Sequence, residues 1–225
     1  FLAQSRLARS ITIAVREGAP YRVVAMPAQE TLSRGMPLKV KLELTRYGEF
    51  KDQVAGITAV SLPPNARNAT VVIPAGKNDG ALSINLPPNV AVGTYTIAFR
   101  GNAPAVPFTK DPDGKNKKNV QVADISTPVI LTVTDPIALS LNSSSAAVKQ
   151  GENVEATVAI TRQGRFTGAV QLQFVQLPAN VKSAAVTVAP EANEGKLVIT
   201  AATNAAKGTF STILLRASVE VAGQG

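Results

Sequence analysis

In the stretch "PLKVKLELTR", Pro37 to Arg46, Leu38, Val40, Leu42 and Leu44 alternate with Lys39, Lys41 and Glu43. A period of two puts the four apolar side chains on one face of a β-strand and the charges on the other. The stretch "NVEATVAITR", residues 153–162, does the same with Val154, Ala156, Val158 and Ile160. Each large apolar side chain buried on such a face contributes roughly 1.5–3 kcal/mol. A slip of one residue would turn the lysines inward, so the register is strongly specified.

Further short apolar runs follow, separated by turn residues. The first half shows "GITAVSL", "ATVVIP", "GALSINL" after Asn78-Asp79-Gly80, "GTYTIAFRG" and "TPVILTV". The second half shows "AVQLQFVQL", "AAVTVAP", "GKLVITA" and "GTFSTILLR". No stretch of helical length shows a 3.6-residue period. Six to seven short strands in each ~115 residues predict an antiparallel sandwich.

The two halves are copies. Gly35 falls on Gly151, Thr45-Arg46 on Thr161-Arg162, and Gly48 and Phe50 on Gly164 and Phe166. Leu62-Pro63 falls on Leu177-Pro178, Pro74 on Pro190, and Gly93-Thr94-Tyr95 on Gly208-Thr209-Phe210. The offset stays at 115 or 116, the length of a domain rather than of a solenoid repeat. The second copy has one residue more after Phe210, which predicts a bulge.

The series "TRxGxF", "LPxNx" and "GTY/F" resembles the immunoglobulin-like (Ig-like) repeats of large bacterial envelope and surface proteins. The stretch "VPFTKDPDGKNKKNVQV" is similar to long connections in planctomycete-type versions of the repeat. The resemblance covers nearly the whole chain twice. It implies an all-β fold of two tandem Ig-like antiparallel β-sandwich domains, and Tyr95 at the start of an F strand where its hydroxyl can tie a corner. Phe210, its counterpart, has no hydroxyl.

The expected organisation is an N-terminal segment 1–19, a first domain 20–134 and a second domain 135–225. The second domain has only nine residues after Arg216, against 34 from Arg100 to the end of the first, and is expected to lack its final strand. "SITIAV", Ser10 to Val15, precedes the first copy as "TPVILTV" precedes the second, and reads as the last strand of a preceding repeat. A window from a longer array explains both features. The alternative is strand donation, with Ile11, Ile13 and Val15 of one copy filling the open edge of another and giving a homo-oligomer. The junction "TDPIALSL" leaves almost no linker, so a stiff end-to-end joint is expected.

Composition narrows the chemistry. The 225 residues include no Cys and no His, which removes Cys and His nucleophiles, His-based triads and the usual zinc sites. Hydrophobic residues make up 45% but aromatics only 4%, with no Trp, so cores are expected from Val, Ile, Leu and Ala. Of the net charge of +8, residues 1–134 carry +7, from 16 Lys+Arg against 9 Asp+Glu. These basic residues are dispersed and lack interleaved aromatics, which reads as a solvated surface rather than a nucleic-acid site. No apolar run reaches the ~20 residues of a membrane-spanning helix. The start "FLAQSRLARS" has neither Met nor the apolar core of a signal peptide, and reads as a processed or partial piece.

The candidate sites are few. Asp111, Asp113 and Asn116 in "KDPDGKNKK" echo a calcium loop but lack its closing Glu, so an exposed loop is preferred. Its Lys115, Lys117 and Lys118 are candidate partner contacts. Arg46 and Arg162 recur beside a turn glycine; a carboxylate within the domain is the expected partner of each, and a repeated ligand contact is the alternative, disfavoured because Tyr47 beside the first becomes Gln163 beside the second. Of Tyr21, Tyr47 and Tyr95, only Tyr47 is a plausible sugar platform, and Tyr95 is expected in the core. Glu43, Glu155, Asp79 and Glu194 sit on outward strand faces or in turns and pair with no nucleophile. Asn68-Ala69-Thr70 and Asn142-Ser143-Ser144 match the glycosylation pattern, a short signal.

No enzyme and no cofactor are expected. The expected role is a structural, spacer or protein-interaction module of a larger exported bacterial protein, in the periplasm, at the cell surface or outside the cell. Its partner would be a protein or neighbouring repeats. The rival is a carbohydrate- or ligand-binding accessory module attached to a secreted hydrolase.

Overall fold

A computed structural model describes residues 19–109, 117–142 and 146–220. The fold is all-β, and its sheets pack in sandwich-like pairs.

In the first block, β1 (Tyr21–Met26), β3 (Pro37–Arg46), β7 (Asp79–Asn85) and β5 (Arg67–Asn68) form one sheet, in the order β1-β3-β7-β5. The alternation in β3 works as its pattern demands. Leu38, Val40, Leu42 and Leu44 are buried, while Lys39, Lys41 and Glu43 are exposed. The second sheet runs β2 (Gln29–Ser33), β10 (Val129–Thr134), β8 (Gly93–Thr109), β4 (Val54–Val60) and β6 (Val71–Ile73), with β9 (Lys117–Ile125) also paired to β8. The chain passes from β1 in one sheet to β2 in the other across a cis Met26–Pro27 peptide. The β2–β10 pair is parallel and β8–β10 is antiparallel. Side chains from both sheets form one hydrophobic cluster, with Tyr21, Phe99, Leu42, Ile57 and Leu131 fully buried.

The second block repeats the first sheet strand for strand. β11 (Ile137–Leu141), β12 (Asn153–Arg162), β16 (Glu194–Ala201) and β14 (Val181–Ser183) lie in the order β11-β12-β16-β14. Even the register recurs, with Tyr21 opposite Arg46 and Ile137 opposite Arg162. The facing sheet is smaller, β15 (Val186–Val188), β13 (Val170–Val175) and β17 (Leu214–Val219), in the order β15-β13-β17. A second cluster, distinct from the first, gathers Val158, Ile160, Phe166, Leu172 and Leu197.

Two local expectations need correction. The stretch after Arg100 is a strand hairpin more than a loop, since β8 runs to Thr109 and β9 begins at Lys117. Pro104 and Pro107 disguised it. The hairpin tolerates them with a register shift between Ala103 and Val106, and both of those residues are buried. The extra residue after Phe210 makes no bulge within a strand, because residues 209–213 are in no strand and β17 starts at Leu214. Tyr95 packs half-buried against the core, and Tyr21 lies within it. Tyr21 is 1% exposed and stacks on Phe50 with ring centroids 5.5 Å apart.

Candidate interaction surfaces

The repeated "TRxGxF" motif builds a turn and a clamp. In the first block the Tyr47 amide donates to the Pro20 carbonyl at 2.8 Å, and the chain reverses through Gly48 at φ 58°. In the second, the Gln163 amide donates to the Pro136 carbonyl at 2.9 Å, and Gly164 has φ 53°. That left-handed conformation favours glycine. The preceding arginine then folds over the phenylalanine, its guanidinium carbon 5.3 Å from the Phe50 ring centre for Arg46 and 5.7 Å from that of Phe166 for Arg162.

The partners of these arginines are backbone carbonyls rather than the expected carboxylates. Arg46 donates to the carbonyls of Asp52, Pro74 (3.1 Å) and Lys77 (2.9 Å), and to the Asn78 side chain at 3.1 Å. Arg162 donates to the carbonyls of Gly168 (2.6 Å), Ala189 (2.9 Å) and Ala192 (3.1 Å). Turn carbonyls that no strand can pair are satisfied by a planar, five-donor cation. Both clamps hold their own block together.

The other candidates do not converge on a site. Tyr47 is 48% exposed beside the Gly48 turn. Lys117 and Lys118 lie at the start of β9. Asp111, Asp113, Lys115 and Asn116 lie outside the described residues, as do Ile11, Ile13 and Val15. Among the described residues no three His, Cys, Asp or Glu side chains gather as a metal site. No helix of the described residues is long and apolar enough to cross a membrane.

Three tyrosine and lysine environments are electrostatically distinct. Burial, the largest influence, pushes the Tyr21 hydroxyl above its ordinary pKa of 10.0. That hydroxyl donates towards the Gly101 and Val122 carbonyls, at 2.9 and 3.0 Å. Lys41 and Lys196 are raised by side-chain hydrogen bonds to Glu43 and Glu155, on the solvent faces. The Tyr95 hydroxyl donates to the Ala91 carbonyl at 2.9 Å, the corner tie that the "GTY" motif implied.

Residues that the sequence did not single out meet where the blocks join. The Ser33 amide, at the end of β2, donates to the Gly164 carbonyl at 2.8 Å. Arg165, the residue after that glycine, pairs with Glu30 at 2.8 Å, and Arg34 pairs with Asp135 at 2.5 Å. The packing at Gly164 is close enough that a Cβ there would collide with the Ser33 nitrogen and the Leu32 carbonyl carbon. The short "TDPIALSL" connection signalled a stiff joint. It did not signal which surfaces touch, because the contact joins residues more than 130 positions apart in the chain.

A second feature is an edge that no described strand pairs, the outer side of β17. In the first block β10 lies between β8 and β2. In the second block the matching flanks, residues 209–213 and 146–149, are in no strand. Ile213 and Leu215, which stand where Ile97 and Phe99 stand in β8, are only half-buried, whereas Ile97 and Phe99 are fully buried.

No family model matches the chain, and no curated protein matches it. Solved structures similar to it include the Yersinia pseudotuberculosis adhesin InvE, at 14% identity and a TM-score of 0.31, over 89% of this chain and 55% of that one. The chain thus spans about half the length of InvE. The D00-D0 domain of intimin is similar at 12% identity and a TM-score of 0.32, over 89% of this chain and 99% of that one. Domains 5–6 of the S-layer protein SbsC are similar at 13% identity and a TM-score of 0.29, over 80% of this chain and 82% of that one.

Proposed function

We propose that the chain is a non-catalytic spacer and interaction module made of two Ig-like sandwiches in tandem. It would belong to a larger exported bacterial protein, in the periplasm, at the cell surface or outside the cell. One observation carries this reading. Two blocks with separate hydrophobic clusters are joined by a backbone hydrogen bond and two ion pairs around a nearly absent linker. Such a joint transmits orientation from one unit to the next, which is what a spacer must do. The repeated motifs support it as well, since their conserved spacing serves turns and clamps inside each block.

The test is calorimetry with one core truncation in each block. Leu42→Ala and Leu197→Ala should each cost about 2–5 kcal/mol. Each should lower a different unfolding transition. A single transition displaced by both would overturn the tandem reading.

The outer edge of β17, which no described strand pairs, favours strand donation as an additional mode of assembly. The alternating Ile11, Ile13 and Val15 would take the place that Val129, Leu131 and Val133 take in the first block. Sedimentation of the chain with and without residues 1–16 decides it, because unchanged sedimentation eliminates donation. The accessory-module reading retains only Tyr47 as a stacking platform. Glycan-array binding abolished by Tyr47→Ala would favour it over the spacer.

A further inference from the structure

Each block carries the same glycine turn, and described residues cover only one of the two. The Gly164 turn is seated against β2 of the first block through the Ser33 bond and the Arg165–Glu30 pair. The Gly48 turn has the same left-handed glycine, the same proline carbonyl behind it and the same arginine clamp. No described atom lies within 4 Å of where a Gly48 Cβ would stand, and Tyr47 and Glu49 on either side are exposed.

We propose that the Gly48–Glu49 turn docks the edge strand of another sandwich of the same kind, placed N-terminal to the first block, and that this neighbour presents Lys or Arg where the first block presents Glu30. The proposal rests on the tandem reading above. The charge requirement follows from one exchange: Glu49 stands where Arg165 stands in the covered turn. A neighbour carrying Glu at the Glu30 position would set two carboxylates against each other, while a basic residue restores the pair. The second ion pair of the observed joint gives no help, because Ala19 replaces Asp135 at the equivalent position. Discrimination therefore falls on Glu49. The second block of another copy is a poor occupant, since Ala146 stands at the Glu30 position and offers no cation.

The test joins an extra first block, residues 19–134, to the chain from Ala19 onward. Thr134 then leads into Ala19-Pro20 as it naturally leads into Asp135-Pro136. The chain has no cysteine, so spin labels can be placed at will. Exposed Lys39 and Glu155 are equivalent positions in the two blocks. Labels at Lys39→Cys and Glu155→Cys in the unfused chain calibrate the observed joint. Labels at both copies of Lys39→Cys in the fusion read the new one.

With Glu30→Lys in the added block, the distance distribution should match the calibration in centre and width. It should broaden when Glu30 is kept, narrow again when Glu49→Arg is added, and broaden with Glu30→Lys plus Gly48→Ala. A Glu30→Lys fusion as broad as its Gly48→Ala version overturns the proposal, and so do four equally narrow distributions. Calorimetry on the same fusions separates the two failures. An unfolding enthalpy raised by that of one more first block, with broad distances, defeats only the docking proposal, whereas no added enthalpy defeats the tandem reading and the docking with it.

Discussion

Replacing Gly164 with alanine should damage the joint, while the same change at Gly48 should damage only a turn. Both glycines adopt left-handed backbone, φ 53° and 58°, so an L-residue at either costs roughly 1–2 kcal/mol. Gly48→Ala meets no described atom and stops there. Gly164→Ala also drives a methyl into the Ser33 nitrogen, which breaks the Ser33–Gly164 bond, worth roughly 0.5–1.5 kcal/mol. The Arg165–Glu30 pair then loses its geometry. Arg165 is 69% exposed, so this adds only about 0–1 kcal/mol. The expected totals are roughly 1–2 kcal/mol for Gly48→Ala and roughly 2–4 kcal/mol for Gly164→Ala.

The chain supplies its own assay for where each loss falls. Tyr21, Tyr47 and Tyr95 are all in the first block, and there is no Trp. Tyrosine fluorescence therefore follows the first block, and far-ultraviolet dichroism follows both. Gly48→Ala should lower the tyrosine transition. Gly164→Ala should leave that transition within the small coupling contributed by the joint and should lower the remaining dichroic transition further. Equal losses for the two variants, or a tyrosine transition lowered as much by Gly164→Ala as by Gly48→Ala, would refute the reasoning.

Three further outcomes are expected. Tyr21→Phe should cost about 1–3 kcal/mol by leaving the Gly101 and Val122 carbonyls without their shared donor. Because burial raises the Tyr21 pKa above 10.0, the folded state keeps this proton longer than the unfolded chain does. Its contribution is therefore whole below pH 10 and lost as pH rises through the folded-state value; urea melts between pH 9 and 12 should show a steeper decline in the native chain than in Tyr21→Phe. Arg162→Lys should cost about 1.5–3 kcal/mol in the second block, since one ammonium cannot reach three divergent carbonyls and cover Phe166 as well. A dichroic transition unchanged by Arg162→Lys would show that the clamp is ornamental.

Period-two alternation located β3, β12, β16 and their neighbours because each has one wet and one buried face, and a strand of that kind writes its burial into its sequence. The first-block strands β1 and β2 escaped notice. Tyr21–Met26 is followed at once by Pro27, and Gln29–Ser33 is mostly polar, its Leu32 and Ser33 alone being buried. Such an edge strand is held by backbone pairing with β10 rather than by apolar content. The clamps of Arg46 and Arg162 were visible as a recurrence, but their partners were not. Carbonyl acceptors have no letter in a sequence, and any residue can supply one. The contact at Gly164 was hidden for the same reason.

The parallel pairing of β2 with β10 has a mechanical consequence. Residues Gln29 to Ser33 run alongside Ile130 to Thr134 in the same direction. Load reaching β2 from the N-terminal side and β10 from the C-terminal side drags the two strands oppositely along their common axis. Their hydrogen bonds then share the force and must rupture together instead of unzipping one by one. A block wired this way should resist pulling along that axis better than one whose terminal strands unzip, which single-molecule stretching would read as a higher rupture force.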